Sequence, residues 1–488
     1  MYNLDKQRNL TMLTDFYELT MANGYFNNGI GDRIAYFDMF YRKNPDRGGF
    51  AIMAGVEQVV EYLENLKFDD EDIEYLRNKH MFSEEFLKYL RDFEFKCDVW
   101  AVPEGTPIFP GEPIVTVRGP VIQAQFVETM ILLSINHQTL IATKTNRIVR
   151  AAGERAVMEF GSRRAQSYDG AIFGARAAYI GGAVGTACTC ADRDFGIPAL
   201  GTMAHSWIQM FPSEQEAFDA YARQYPTNCT LLVDTYNTLK SGVPHAISTF
   251  DRILKPMGVR PSGIRIDSGD ITYLSKKARK MLDDAGYPDC KICASNSLDE
   301  YIIRDMLLQG AKVDLFGVGE RLITSSSEPV FGGVYKLAAI ENPDGTETPK
   351  IKISENVEKI TNPCRKNLWR LYDRDTGKAL GDVLTLFDEK IDDSMPYEIF
   401  DPNATWKRKT ITNFYAKELR VQYFKDGKLC VKMPGLEAIR AYCKQQLETL
   451  WDEVTRFENP HEYYVDLSQP LWNIKHELLK NLSTDKNI

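Results

Sequence analysis

Basic residues follow two short apolar runs in the middle of the chain. The run that ends at Leu200 leads into Thr202 and His205, and an earlier run leads into Arg163 and Arg164. Arginine presents a planar fork of donors that fits phosphate, and histidine titrates near neutral pH. The pattern indicates a site for oxyanions. A structural role for the histidine and a surface ion pair for the arginines remain open alternatives.

Acidic and glycine-rich motifs follow other apolar runs. D-S-G-D occupies 267–270, S-N occupies 295–296 and G-V-G-E occupies 317–320. Two carboxylates around a Ser-Gly turn suit ribose hydroxyls or Mg²⁺, although an Asx turn that caps a helix explains them equally. Glycine lets backbone N–H groups approach a phosphate, although G-V-G alone is also typical of a turn.

A parallel sheet would bring these residues together. Short apolar runs at intervals of about 25–35 residues, separated by helical or loop sequence, predict βαβ units and a parallel sheet that is either open or closed into a barrel. The carboxyl ends of such strands share one face, so the polar residues behind them should converge. The runs end at Phe160, Leu200, Val233, Ile266, Ala294 and Val318.

The remaining sequence predicts a second, mixed α/β lobe. We predict three segments: an N-terminal lobe over 1–135, the α/β barrel with the active site over 136–340, and a C-terminal segment over 341–488 that packs partly on the N-terminal lobe. Alternation at 34–40 predicts a strand. Predicted helices cover 55–66, 70–79, 83–93 and 139–152.

Composition narrows the functional classes. A net charge of −9 and a pI near 5.4 argue against a nucleic-acid or anionic-membrane binder. Nine scattered cysteines, no apolar run of membrane-spanning length and no secretory h-region favour a reducing, cytoplasmic location. Cys290 and Cys293 have metal-ligand spacing, but without a second pair we predict that they pack in the core.

The motifs together resemble the nicotinate phosphoribosyltransferase family. This resemblance covers about residues 10–375 and implies a type II phosphoribosyltransferase fold, an irregular parallel α/β barrel with an additional lobe, in a homodimer with shared active sites. It also implies transfer from phosphoribosyl pyrophosphate to nicotinate in NAD salvage, coupled to ATP hydrolysis, with Mg²⁺. The motifs are T-D-F-Y-E-L-T-M-A (14–22), F-G-S-R-R-A-Q (160–166), G-T-M-A-H-S-W (201–207), G-I-R-I-D-S-G-D (263–270), A-S-N-S-L-D-E (294–300) and F-G-V-G (316–319).

The resemblance also implies roles for individual residues. His205 matches the histidine that the family phosphorylates, and Arg163, Arg265 and Asp267 complete the predicted catalytic set. The metal ligands are not assigned. The predicted substrate-binding residues are Tyr17 (from the partner subunit), Arg164, Thr202, Ser268, Gly269, Asp270, Asn296, Gly317, Gly319 and Glu320.

One position bears on the choice between acid and amide substrates. Related nicotinamide-using enzymes carry an aspartate where this chain has Ala187, so the resemblance favours nicotinate. Glu320 departs from the smaller neutral residue common at its position, so only its backbone N–H should help to bind a phosphate. A Schiff-base aldolase would need a lysine at a strand end, which none of these motifs supplies. A non-catalytic relative should have lost His205 or Arg265.

Overall fold

The computed structural model describes residues 9–355 and 359–484, and it divides the chain into two compact units. The split unit combines residues 1–140 with 330–488, and the continuous unit comprises 141–329. No helix within the described ranges has the length and hydropathy needed to cross a bilayer.

A seven-stranded antiparallel sheet dominates the split unit. Strand order is β12-β11-β1-β5-β3-β18-β19, so the sheet joins the beginning of the chain to its later part. Phe37 of β1 stacks on Tyr335 of β11 with ring centroids 5.0 Å apart. The strands are β1 (Ile34–Phe40), β3 (Asp98–Ala101), β5 (Val115–Pro120), β11 (Val334–Glu341), β12 (Glu347–Pro349), β18 (Val421–Lys425) and β19 (Lys428–Leu429).

Three smaller sheets complete the strands of this unit. Four strands pair in the order β17-β13-β14-β20, and β2 pairs with β4 as β15 does with β16. These strands are β2 (Ala51–Ile52), β4 (Pro107–Ile108), β13 (Lys366–Asp373), β14 (Ala379–Leu386), β15 (Tyr397–Phe400), β16 (Arg408–Ile411), β17 (Phe414–Glu418) and β20 (Val465–Leu467).

Two helices of the split unit begin at side-chain caps. Asp69 forms a capping box with Asp72, and the Ser83 hydroxyl accepts a hydrogen bond from the Phe86 N–H. The helices are α1 (Phe16–Asn27), α2 (Val56–Glu64), α3 (Asp70–Arg77), α4 (Glu84–Arg91), α5 (Val121–Phe126), α6 (Glu128–Ala152, which continues into the other unit), α15 (Leu436–Glu448), α16 (Asp452–Thr455) and α17 (Gln469–Thr484).

The continuous unit contains a five-stranded parallel sheet in the order β6-β10-β9-β8-β7. Its strands are mostly apolar and largely buried, as is typical of parallel sheets. The strands are β6 (Ala156–Glu159), β7 (Thr230–Leu232), β8 (Gly263–Ile266), β9 (Lys291–Ser295) and β10 (Leu315–Val318). The helices are α7 (Ser167–Ile180), α8 (Thr189–Phe195), α9 (His205–Gln209), α10 (Glu214–Gln224), α11 (Val243–Thr249), α12 (Ile271–Asp284), α13 (Glu300–Leu308) and α14 (Glu320–Ile323).

The parallel sheet is confirmed, but one of its predicted strands is absent from the described residues. The run Ile197–Leu200 forms no strand, because Ala199 and Pro198 are exposed and only one bridge, from Thr186 to Ala199, is made there. In the described part of the chain no strand pairing joins this side of the sheet to β7. A closed barrel is therefore not shown, and barrel closure stays a prediction.

Candidate active site

Arg265 forms the centre of a polar cluster at the end of the parallel sheet. From strand β8 its Nε donates to Ser295 Oγ at 2.8 Å, Nη1 to Thr202 Oγ1 at 3.2 Å and Nη2 to Asp267 Oδ1 at 2.8 Å. Ser295 also donates to the same Asp267 oxygen. These bonds use three of the five guanidinium N–H groups. The other two remain available for an anionic ligand.

His205 joins this cluster from a helix rather than from a strand. It is the first residue of α9, and its Nδ1 lies 3.0 Å from Thr235 Oγ1. Its Nε2 lies 3.8 Å from Asp267 Oδ2. The side chain is half-buried, with 39% of its surface exposed. A ring held on both sides yet open to solvent is suited to react with a bound phosphate compound.

Asp234, two residues after the end of β7, supports the D-S-G-D turn. Its Oδ2 accepts hydrogen bonds from the Asp267 N–H at 3.0 Å and from Ser268 Oγ at 2.6 Å. Its Oδ1 is buried and has no hydrogen-bond partner among the described residues. Gly269 has a φ of +76°, which favours glycine, and Asp270 Oδ1 caps α12 by accepting the Tyr273 N–H. The turn is thus both a helix cap and an arrangement of exposed oxygens.

The arginine pair follows the carboxyl end of β6, at the same end of the parallel sheet as Arg265. Arg163 and Arg164 form a short 3₁₀ turn and both are exposed; Arg163 has no ion pair within the described residues. Arg164 Nη1 lies 3.9 Å from a Glu320 carboxylate oxygen. Glu320 begins α14 and is itself 61% exposed. The carboxylate therefore partly offsets the positive charge of Arg164.

Two glycines allow the ends of β6 and β10 to approach each other. A Cβ on Gly161 would lie 2.6 Å from two side-chain carbons of Ile323 and 2.8 Å from the Gly319 carbonyl oxygen. A Cβ on Gly317 would lie 2.5 Å from the Phe160 ring. Neither position has room for a side chain. This close approach places the G-V-G backbone beside the arginine turn.

The Phe160 ring connects the two groups of residues. The Arg265 guanidinium carbon lies 5.6 Å from the centre of this ring, which precedes Gly161 in the chain. The structure thus brings Arg265, Asp267, Thr202 and His205 into one cluster, next to the end of β6. Asn296 follows β9 at the same end of the sheet with a φ of +88° and is exposed.

Tyr17 lies in the split unit, on α1. Burial and the Glu128 carboxylate, to which its hydroxyl is hydrogen-bonded, raise the pKa of Tyr17 well above its usual range. The phenol therefore stays protonated near neutral pH. Its predicted contact with the substrate ring stays a prediction.

The cysteines carry no sign of metal chemistry. Cys290 and Cys293 are buried, and burial raises the pKa of both thiols to about 12. No group of three or more His, Cys, Asp or Glu residues suited to a metal ion occurs in the described ranges. A Mg²⁺ that arrives with a diphosphate needs only one or two carboxylates, and the exposed Asp270 with the partly exposed Asp267 fits that requirement.

Sequence reasoning assigned no role to several polar residues that the structure places in the site. Thr235 contacts the histidine, Ser295 contacts the arginine, and Asp234 holds the turn. Ser295 is the last residue of β9, and Asp234 and Thr235 follow the end of β7 by two and three residues. That position is the sequence signal that could have identified them.

Three family profiles match consecutive parts of the chain. The nicotinate phosphoribosyltransferase (NAPRTase) N-terminal domain matches residues 12–136, the NAPRTase family matches 155–385, and the nicotinate phosphoribosyltransferase C-terminal domain matches 365–475. Together these profiles cover most of the chain.

Named relatives and a solved structure agree with the profiles. Nicotinate phosphoribosyltransferase of Bacillus subtilis (strain 168) is 43% identical over 481 residues, covering 98% of this chain and 97% of the relative. The Homo sapiens enzyme of that name is 30% identical over 525 residues, covering 96% of each. A crystal structure of human nicotinic acid phosphoribosyltransferase has a TM-score of 0.83 at 27% identity, covering 96% of this chain and 100% of that chain.

Proposed function

The chain belongs to the nicotinate phosphoribosyltransferase family, and from that premise we propose that it converts nicotinate and phosphoribosyl pyrophosphate into nicotinate mononucleotide and pyrophosphate in NAD salvage. The finer proposal is that ATP hydrolysis drives this step through a phosphorylated His205. The observation that carries the proposal is the Arg265 cluster, which combines free guanidinium N–H groups with a histidine and carboxylates.

We assign the nicotinate carboxylate to Arg265 and Thr202. The two unused N–H groups of the guanidinium can pair with a carboxylate, and the Thr202 hydroxyl already lies 3.2 Å from Nη1. Asp267 and Ser295 fix the guanidinium plane from the opposite edge. The substrate carboxylate would then set the direction in which the pyridine nitrogen points.

The transfer itself needs no general base. The lone pair of the pyridine nitrogen forms a bond to C1 of the ribose, while the C1–O bond breaks and its electron pair leaves with pyrophosphate. Positioning and charge neutralisation then dominate catalysis. Pyrophosphate would pair with Arg163 and Arg164. The ribose hydroxyls or Mg²⁺ would be held by Ser268, Gly269 and the carboxylates of Asp267 and Asp270. The 5′-phosphate would be bound by Asn296, Gly317, Gly319 and the Glu320 N–H. Mg²⁺ would neutralise diphosphate charge when bound.

His205 would be the nucleophile of the ATP step. A neutral ring nitrogen bonds to the γ-phosphorus as the bond to ADP breaks, and water later releases phosphate. Thr235 and Asp267 flank the ring, so both of its edges are oriented before ATP arrives. A phosphate on this ring lies next to the proposed ribose and pyrophosphate contacts, where its charge would alter pyrophosphate affinity.

The wider arrangement is also a proposal. We expect a homodimer with shared active sites, in which Tyr17 comes from the partner subunit, a closed barrel, the three-segment domain division and a cytoplasmic location. The expected partners are small molecules only: nicotinate, phosphoribosyl pyrophosphate and ATP, but no nucleic acid and no membrane.

A substrate comparison tests the proposed function. Purified protein with phosphoribosyl pyrophosphate, Mg²⁺ and ¹⁴C-nicotinate should form the mononucleotide, and ATP should stimulate the wild-type protein but not His205→Ala. Ala187 is exposed beside the end of β6, and Ala187→Asp should shift preference toward nicotinamide because a new carboxylate repels nicotinate. Preferential use of nicotinamide by the wild-type protein would refute the proposed substrate. Equal ATP stimulation of His205→Ala would refute the phosphohistidine.

A further inference from the structure

A buried carboxylate is hydrogen-bonded to two segments of the site, the turn that follows β6 and the segment 185–188. Glu159 is the last residue of β6 and has no exposed surface. One of its oxygens accepts the Gly161 N–H, and the other accepts the Thr186 hydroxyl at 2.5 Å. The Thr186 hydroxyl oxygen in turn accepts the Cys188 N–H at 2.9 Å. Both ends of the carboxylate are therefore occupied by backbone-anchored partners.

The backbone repeats this connection. Glu159 donates its N–H to the Gly185 carbonyl at 3.0 Å, and Ala187 donates its N–H to the Glu159 carbonyl at 2.8 Å. The segment 185–188 is thus held against the end of β6 by main chain and side chain together. Ala187, the position that bears on acid or amide selectivity, lies directly after Thr186.

Stability alone does not account for a carboxylate at this place. Burial raises the pKa of Glu159, while the hydrogen bonds from Thr186 and Gly161 lower it. An apolar residue of the same size would avoid the loss of hydration, and replacing buried charges by apolar residues is often neutral or stabilising. What leucine could not provide is two acceptors at a fixed separation between Gly161 and Thr186.

We propose that Glu159 is a positioning residue for phosphoribosyl transfer. Through Gly161 it fixes the turn that contains Arg163 and Arg164. Through Thr186 it fixes the segment 185–188, which contains Ala187. The arginine turn and the segment 185–188 are thereby held at a fixed position relative to each other. This inference rests on the proposed function. Misplacement by about 1 Å is enough to lower a rate about 100-fold, so a group that touches no substrate can still control turnover.

Four variants test the proposal. Glu159→Leu keeps the volume and removes both acceptors, whereas Glu159→Gln keeps one acceptor and an amide that can donate to Thr186. Thr186→Val removes the hydroxyl without changing the shape, and Thr186→Ser keeps it. We expect kcat/KM for nicotinate to fall about 100-fold in Glu159→Leu and roughly tenfold in Thr186→Val, with both conservative variants near wild type.

The double variant separates positioning from independent effects. Glu159→Leu/Thr186→Val should lose less activity than the product of the two single losses, because the bond between the two residues is lost only once, whereas the Cys188 N–H loses its acceptor only with valine. The preference for nicotinate over nicotinamide should also decrease in both disruptive variants. Rates are expressed per amount of folded protein, and the folded fraction is measured by circular dichroism and thermal melting.

Several results would overturn the inference. A folded Glu159→Leu that keeps kcat/KM within threefold would do so, as would losses that multiply in the double variant. If Glu159→Leu does not fold, equal activity of Thr186→Val and Thr186→Ser overturns the inference instead. The wild-type protein in the same assay keeps the two questions apart: inactive wild type contradicts the proposed function, whereas active wild type with unaffected variants contradicts only the role of Glu159.

Discussion

Replacing Arg265 by lysine tests the centre of the proposed site while keeping its charge. The guanidinium reaches Ser295, Thr202 and Asp267 at once. An ammonium group on a four-carbon stem is a point charge, and it can keep the contact with Asp267 but not all three. It also offers no planar pair of N–H groups to a substrate carboxylate.

The size of the effect follows from the contacts that lysine loses. A hydrogen bond to a charged group contributes about 1.5 kcal/mol or more, so losing the paired contact to the substrate carboxylate removes about 3 kcal/mol. At about 1.4 kcal/mol for each factor of ten, kcat/KM for nicotinate should fall roughly 150-fold. Only 14% of the Arg265 side chain is exposed, so solvent screening should not reduce this value greatly.

Steady-state kinetics with varied nicotinate provide the measurement. Arg260→Lys is the matched control: Arg260 also bonds a carboxylate, that of Asp289, but its side chain is 53% exposed, and activity should stay within twofold. Circular dichroism establishes that both variants are folded. If Arg265→Lys retains a third or more of wild-type kcat/KM, the assignment of the substrate carboxylate to Arg265 is wrong.

Two further predictions concern packing and pH. Gly161→Ala should lower activity at least tenfold and reduce the melting temperature, because its Cβ would overlap neighbouring atoms. Gly201→Ala, whose Cβ would have no atom within 4 Å, should leave both activity and melting temperature unchanged. Equal effects of the two substitutions in thermal melts and activity assays would contradict this prediction. Burial raises the pKa of Glu18 to about 7, and burial with a nearby carboxylate raises that of Asp466 to about 7. The folded protein thus keeps protons that the unfolded chain releases, so stability should fall from pH 5 to 7. Glu18→Gln and Asp466→Asn should each flatten that slope in melting temperatures measured from pH 5 to 8, and an unchanged slope in both refutes the explanation.

The sequence predicts the parallel sheet well because its strands are buried runs with a regular interval. Five of the six runs form strands, and strand 34–40 has the predicted bounds. Ile197–Leu200 fails because a short apolar run does not by itself specify pairing: only one bridge forms there. The grouping of the first 140 residues with the last part of the chain depends on long-range strand pairing, which no local pattern encodes.

The sequence predicts the chemical type of the site, an oxyanion-binding cluster at the strand ends, but not the contacts that hold its residues in place. Arg265, Asp267, Thr202 and His205 lie together, and their motifs were visible in the sequence. Glu159 was hidden inside an apolar run, where nothing distinguishes a carboxylate that anchors a turn from a residue at a strand edge. Contacts between residues about 30 positions apart, such as that of His205 with Thr235, require the fold.

The strand order of the large sheet has a consequence for biosynthesis. Strands β1, β3 and β5 are complete once residue 120 has been made, yet their neighbour β18 ends only at Lys425. At about 5–20 residues per second, ribosomes need roughly 15–60 s to produce the missing segment. Throughout that interval the nascent chain presents an unpaired β3 edge, and the whole continuous unit, 141–329, is made before β18. Newly made chains should therefore depend on chaperones mainly through their first 120 residues.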